Sequence, residues 1–151
     1  MDPLTASPRE AIVQLLHIQP NDEIRLRRLI NRIWFFYQIE LINSPPQEQR
    51  LLDQLTNAPK NLKFDLFITD FTPNSPIQIQ NKAKLLTGLA KMRCPLISLS
   101  DQDDYTCQDE DSNWIHITLP IDNIERHIEE ANNAIANFWF CLPSMKKSFK
   151  F

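Results

Sequence analysis

Lys63-Phe64-Asp65-Leu66-Phe67-Ile68-Thr69-Asp70-Phe71-Thr72-Pro73 is a short, mainly apolar run that ends on an acid. Phe64 to Ile68 suits a parallel strand covered on both faces, where apolar residues follow one another instead of alternating with polar ones. Asp70 falls at the carboxyl end of that strand. Sites in open α/β sheets form outside the carboxyl ends of the strands, so an acid there is available for chemistry. Asp70 also fits a plain turn role, because an Asp side chain hydrogen-bonds its own backbone two residues on.

Outward from this strand, the chain alternates strand and helix patterns. Ala11 to Ile18 reads as a first strand, broken by Gln19-Pro20-Asn21-Asp22. Glu23 to Phe35 has helical spacing at Ile24, Leu26, Leu29, Ile30 and Ile33. Gln38 to Ile42 alternates as a second strand, Asn43 to Pro46 is a turn, and Gln47 to Leu55 is a short amphipathic helix. After the central strand, Phe71 to Ile77 is a loop, Gln78 to Met92 a helix and Pro95 to Leu99 a fourth strand. Asp101 to Asn113 holds six acids in thirteen residues, and its only apolar side chains are Tyr105 and Cys107. Trp114 to Leu119 is a fifth strand, and Asn123 to Phe140 a long helix with Ile124, Ile128, Ala131, Ile135 and Phe138 on one face. Such alternation gives an α/β fold with a parallel sheet covered by helices on both faces. Right-handed crossovers narrow the topology to a five-stranded, flavodoxin-like doubly wound sheet of order 2-1-3-4-5, its fourth helix shortened or replaced by the acidic loop.

The bulk numbers exclude several classes of function. The 151 residues suit one domain, and 42% hydrophobic with 23% charged residues is ordinary for a soluble globule. A net charge of −3 gives no general attraction to nucleic acid or anionic lipid. No apolar run approaches the ~20 residues that span a bilayer, and the first ten residues do not read as a secretion signal. Cys94, Cys107 and Cys141 are odd in number and widely spaced, which fits reduced thiols in a cytoplasmic protein. Gly88 is the single glycine against eleven prolines, so no glycine-rich phosphate loop or dinucleotide fingerprint can be built.

The chain resembles the response-regulator receiver family over roughly residues 10 to 140. Asp65 to Asp70 looks like the receiver strand that ends in the phosphoacceptor aspartate. Cys94 to Ser100 looks like the strand that ends in a signalling Ser or Thr, and Ile115 to Asp122 like the last strand with its Pro-hydrophobic-Asp turn. Ala136 to Pro143 is also similar to small stand-alone receivers paired with cyanobacterial phytochromes. The resemblance implies an N-terminal extension (1–10), a receiver-like domain (11–140) and a C-terminal tail (141–151). In such a site an aspartate attacks a phosphoryl donor and becomes an acyl phosphate, beside magnesium held by acids after the first strand. A lysine after the last strand and the Ser or Thr hydroxyl then close on the phosphoryl group. The resemblance assigns acceptor chemistry to Asp70 and the switch hydroxyl to Ser100.

This chain departs from that pattern in three places. The acidic pair falls on Gln19-Pro20, and only a shift of two residues brings Asn21-Asp22 into its place, leaving Asp22 as a poor metal ligand beside Asp70. The lysine position is Leu119, which cannot bind phosphate. The fourth-helix region is the acidic stretch. A degenerate receiver follows, in which phosphorylation is slow or absent because charge stabilisation is usually the largest catalytic term. The expected protein is a stand-alone, cytoplasmic module of two-component phosphorelay signalling without a cofactor. It would act through contact with a histidine kinase or other signalling protein, and not on nucleic acid or membrane. The alternative is a competent response regulator accepting phosphate on Asp70 with Mg2+. A flavin-binding relative would need a phosphate cradle where this chain has the acidic Gln19 to Glu23.

Binding surfaces are read in the same way. Arg25, Arg28 and Arg32 share one helix face, either as a solvated surface or as the face on which receivers meet kinases. Phe138-Trp139-Phe140 spans about 200° of a helix, so one ring is expected to leave the core and offer a partner or homodimer seam, with Trp139 the candidate. His17 and His116 are expected to be hydrogen-bonded core residues on strands.

Overall fold

The structure is a computed structural model, and it describes residues 10–73, 75–109 and 114–140 apart from the side chains of Lys60, Asp109 and Phe140. The extension before Glu10 and the tail from Cys141 lie outside the described residues. The main elements are β1 (Ala11–Leu16), α1 (Pro20–Ile33), β2 (Tyr37–Ile42), α2 (Pro45–Asn57), β3 (Leu66–Asp70), α3 (Ile79–Lys91), β4 (Leu96–Ser100), β5 (Thr106–Asp109), β6 (Ile115–Pro120) and α4 (Ile128–Phe140).

Local chemistry explains most boundaries. Pro20 opens α1 where its missing N–H costs nothing, and Asp22 and Glu23 sit in the first turn, where the helix dipole favours acids. Ser44 caps α2 by accepting from the Gln47 N–H at 3.4 Å, ahead of Pro45 and Pro46. All five residues of β3 are buried, as the unalternating run requires.

The sheet has six strands in the order β2-β1-β3-β4-β6-β5. All neighbouring pairs are parallel except β5 with β6. The expected five-stranded order 2-1-3-4-5 is therefore corrected, although the run β2-β1-β3-β4-β6 remains compatible with a flavodoxin-like α/β arrangement. The added strand is Thr106–Asp109, inside the segment expected to be only an acidic loop. It pairs antiparallel with Ile115 to Thr118, so it needs no crossover helix. Thr106, Cys107 and Gln108 are exposed, which an edge strand tolerates and an amphipathic helix does not.

Helices α1 and α4 pack on one face of the sheet, and α2 and α3 on the other. Successive β1 residues Leu15 and Leu16 belong to opposite cores, as strand alternation requires. The last helix is also corrected. Ile121–His127 is 3-10 with a non-helical Asn123 (φ −137°, ψ 39°), and α-helix begins only at Ile128. The Asn123 side chain donates to Asp103 Oδ1 at 2.8 Å, tying the kink to the loop before β5.

The reading of Trp139 as an exposed anchor is overturned. Trp139 is 2% exposed, and its ring centroid lies 4.3 Å from that of the fully buried Trp34 at the end of α1. Phe138 is buried as well. Phe138 and Trp139 close the core between α1 and α4 instead of leaving it, and the Phe140 side chain lies outside the described residues. Among the described residues no helix is long and apolar enough to cross a membrane.

Candidate functional site

Asp70 and Ser100 end adjacent parallel strands, with Asp70 level with Leu99 and Ser100 level with Pro120. The carboxyl ends of β3, β4 and β6 thus lie side by side, and the acids of the first βα connection stand next to them. Asp70 is 8% exposed, and its Oδ1 accepts from the Thr72 N–H at 2.8 Å. That is the two-residue Asx turn, which holds one carboxylate oxygen and shapes the loop after β3. Ser100 does the same one strand over: its Oγ accepts from the Gln102 N–H at 3.0 Å. Leu119, at the expected lysine position, is wholly buried.

Asp22 is brought to this end of the sheet by the first turn of α1. Burial pushes its carboxyl above the usual range, the Arg25 guanidinium pulls it down, and the charges of Asp70 and Asp122 push it up again. Asp22, Asp70 and Asp122 therefore share one electrostatic neighbourhood. The cation in it belongs to the protein. Arg25 donates to Asp22 Oδ1 at 3.1 Å and to both oxygens of Glu125 at 2.6 and 3.0 Å. Its hydrogen bond holds the Glu125 carboxyl below the usual range.

Magnesium, implied by the receiver resemblance, does not fit these residues. Among the described residues no three His, Cys, Asp or Glu side chains converge closely enough to hold a metal ion. The position beside Asp22 is taken by a guanidinium fixed from two sides.

The arginine face of α1 is engaged in the same way. Arg32 pairs with Glu129 at 3.2 Å, and Arg28 adds its field to Glu125. Arg28 and Arg32 thus face the acids Glu125, Glu129 and Glu130 of the 3-10 segment and α4 across a cavity of about 420 Å³. Exposed pairs of this kind contribute little each, so the result is charge neutralisation more than stability.

His116 lies on β6 with Nε2 2.8 Å from Ser98 Oγ, and burial lowers its pKa. The unfolded chain then binds more protons at this position, so its contribution is present above the ordinary histidine pKa and is lost as pH falls below it. Asp22, whose pKa is raised, has the opposite sign: its contribution falls as pH rises above the ordinary carboxylate pKa of 3.8. His116→Gln removes the histidine effect and leaves the other groups in place, so between about pH 7 and 5 Tm is expected to drop more for the wild type than for His116→Gln. Parallel pH–Tm curves for the two proteins would contradict this.

His17 departs from its expected place. It stands one residue past β1 in the left-handed region (φ 58°), where a non-glycine residue is uncommon. It remains buried, with its N–H donating to Ile42 O at 3.0 Å. Only the strained backbone and the tertiary partner Glu48 mark it, and neither leaves a trace in sequence.

No family model, curated protein or solved structure matches this chain.

Proposed function

We propose that the chain is a receiver-like module of two-component signalling that works by protein–protein contact and not by carrying a phosphoryl group. The observation that carries this reading is the state of Asp70. It stands at the carboxyl end of a buried parallel strand, yet Oδ1 is committed to the Thr72 N–H, and the neighbouring Asp22 is held by Arg25. A carboxylate that must attack phosphorus needs its oxygens oriented by a cation and the incoming charge offset. Here Asp22 and Asp122 add negative charge, Leu119 supplies none of the opposite sign, and the Arg25 guanidinium beside Asp22 is already shared with Glu125.

The partner surface in this reading is the end of the sheet around Asp70 and Ser100. The last helix serves it less well, because Trp139 is spent on the core. A histidine kinase or another signalling protein is the partner class, by resemblance to receivers.

Acetyl phosphate with magnesium tests the reading. Intact-mass measurement is expected to show no acyl phosphate on the wild-type chain, and beryllofluoride is expected to leave its amide spectrum unchanged. A magnesium-dependent adduct that disappears in Asp70→Asn would establish the competent regulator instead.

A further inference from the structure

A second candidate site lies at the same end of the sheet, on the face covered by α2 and α3, and its lining does not include Asp22, Asp70, Ser100 or Asp122. The loops after β1, β2 and β3 enclose a cavity of about 330 Å³, with His17 and Glu48 in its wall. This is the crevice between β1 and its two neighbours where the chain changes direction across the sheet, the usual place for a ligand in a doubly wound fold. His17 Nε2 and Glu48 Oε1 are 3.2 Å apart, at side-chain exposures of 7% and 13%. The two atoms are off the hydrogen-bond line, and neither has another hydrogen-bond partner among the described residues. An imidazole nitrogen and a carboxylate oxygen buried in this state are costly to fold, and such groups mark functional places more often than structural ones. The left-handed backbone of His17 adds strain at the same spot.

The lining decides the kind of ligand. Asn43, Gln49, Gln78 and Asn81 surround the pair, so the wall is rich in carboxamides, and its only full charge among the described residues is the Glu48 carboxylate. Among the described residues no lysine or arginine lines it. The first turn of α2, which elsewhere would offer N–H groups to an anion, begins with Pro45 and Pro46 and has none to offer there. A phosphate or carboxylate ligand would therefore meet the like charge of Glu48, offset only by the first turn of α3, whose N-cap Gln78 also lines the cavity. A bare metal ion is disfavoured too, since no third His, Cys, Asp or Glu joins the pair among the described residues. At about 30 Å³ per water, the volume has room for roughly ten heavy atoms.

We propose that this cavity binds a small organic cation, an ammonium or guanidinium compound whose N–H groups donate to Glu48 and to the surrounding amide oxygens. In that pose the Glu48 charge is neutralised, and the lone pair on His17 Nε2 can accept from the same ligand. The proposal is independent of the receiver reading, and its failure would leave that reading untouched.

Agmatine and spermidine are suitable probes, with glycerol, inorganic phosphate and Zn2+ as comparisons. Titrations followed by calorimetry and by the His17 ring signals in NMR are run on the wild type, Glu48→Gln and Asn81→Leu. Asn81→Leu fills the cavity mouth and keeps the test usable if Glu48→Gln does not fold. The expected result is a shift of the His17 signals by at least one of the two cations, with Kd below about 1 mM and binding at least about tenfold weaker in each variant that keeps the wild-type circular dichroism. The proposal is overturned if neither cation binds, if the variants bind as well as the wild type, or if phosphate or Zn2+ moves His17 at lower concentration than either cation.

Discussion

Trp139→Ala is expected to lower the unfolding free energy by about 3–5 kcal/mol, the loss typical of removing a large buried aromatic. Trp139 is 2% exposed, and its ring lies 4.3 Å from Trp34 at an interplanar angle of 36°. The pair joins the end of α1 to the end of α4, two elements far apart in sequence, so the cavity left behind cannot be closed by a local shift. A domain of this size is stable by only about 5–15 kcal/mol, so this one change removes a large share. Urea unfolding of the purified variant measures it. If Trp139 instead formed a seam between two copies, the midpoint would barely move and the change would appear in the oligomeric state by ultracentrifugation. Trp34→Phe should cost less than Trp139→Ala. The Trp34 indole N–H is buried without a hydrogen-bond partner among the described residues, and phenylalanine removes that group.

Gly88→Ala is expected to destabilise by about 1–3 kcal/mol, the cost of overpacking a filled core, even though alanine is the better helix former. A Cβ built at Gly88 falls 2.7 Å from Leu55 Cβ and 3.2 Å from the Leu55 carbonyl oxygen. Neither atom is the free end of a flexible side chain, so α2 and α3 must separate to admit the methyl group. The intrinsic helix preference of alanine over glycine is about 1 kcal/mol and offsets only part of that cost. Thermal unfolding of Gly88→Ala decides the sign. A raised Tm would show that the two helices do not approach as closely as described.

These two residues also show how far the sequence could be read. Gly88 stood out as the single glycine, but its purpose is a contact with a residue in the preceding helix, invisible to periodicity. The Phe138–Phe140 run was legible as large and apolar, and its direction was not: helical geometry turned Phe138 and Trp139 inward because Trp34 completes the surface that receives them. The edge strand β5 was missed for a related reason. Thr106 to Asp109 has no apolar face, and only its partner β6 makes it a strand. At the site, the placement of Asp70 and Ser100 at strand ends followed from the pattern of buried strands. The Arg25 bridge to Asp22 and Glu125 did not, because Glu125 is a hundred residues away in the chain. The His17–Glu48 pair was beyond reach on the same ground.

The alternation of strands and helices from β1 to β4, the parallel character of the central sheet and the position of Asp70 at a carboxyl end were set by the sequence alone. Each is written in local periodicity, in proline and acid placement, and in the length of apolar runs, which act over a few residues. Which charges meet around Asp70, where the aromatic rings point, and what lines the crevice beside His17 were decided only by the tertiary structure. Those depend on Coulomb and packing contacts between segments that the fold brings together, and such contacts act through space, with no fixed spacing along the chain.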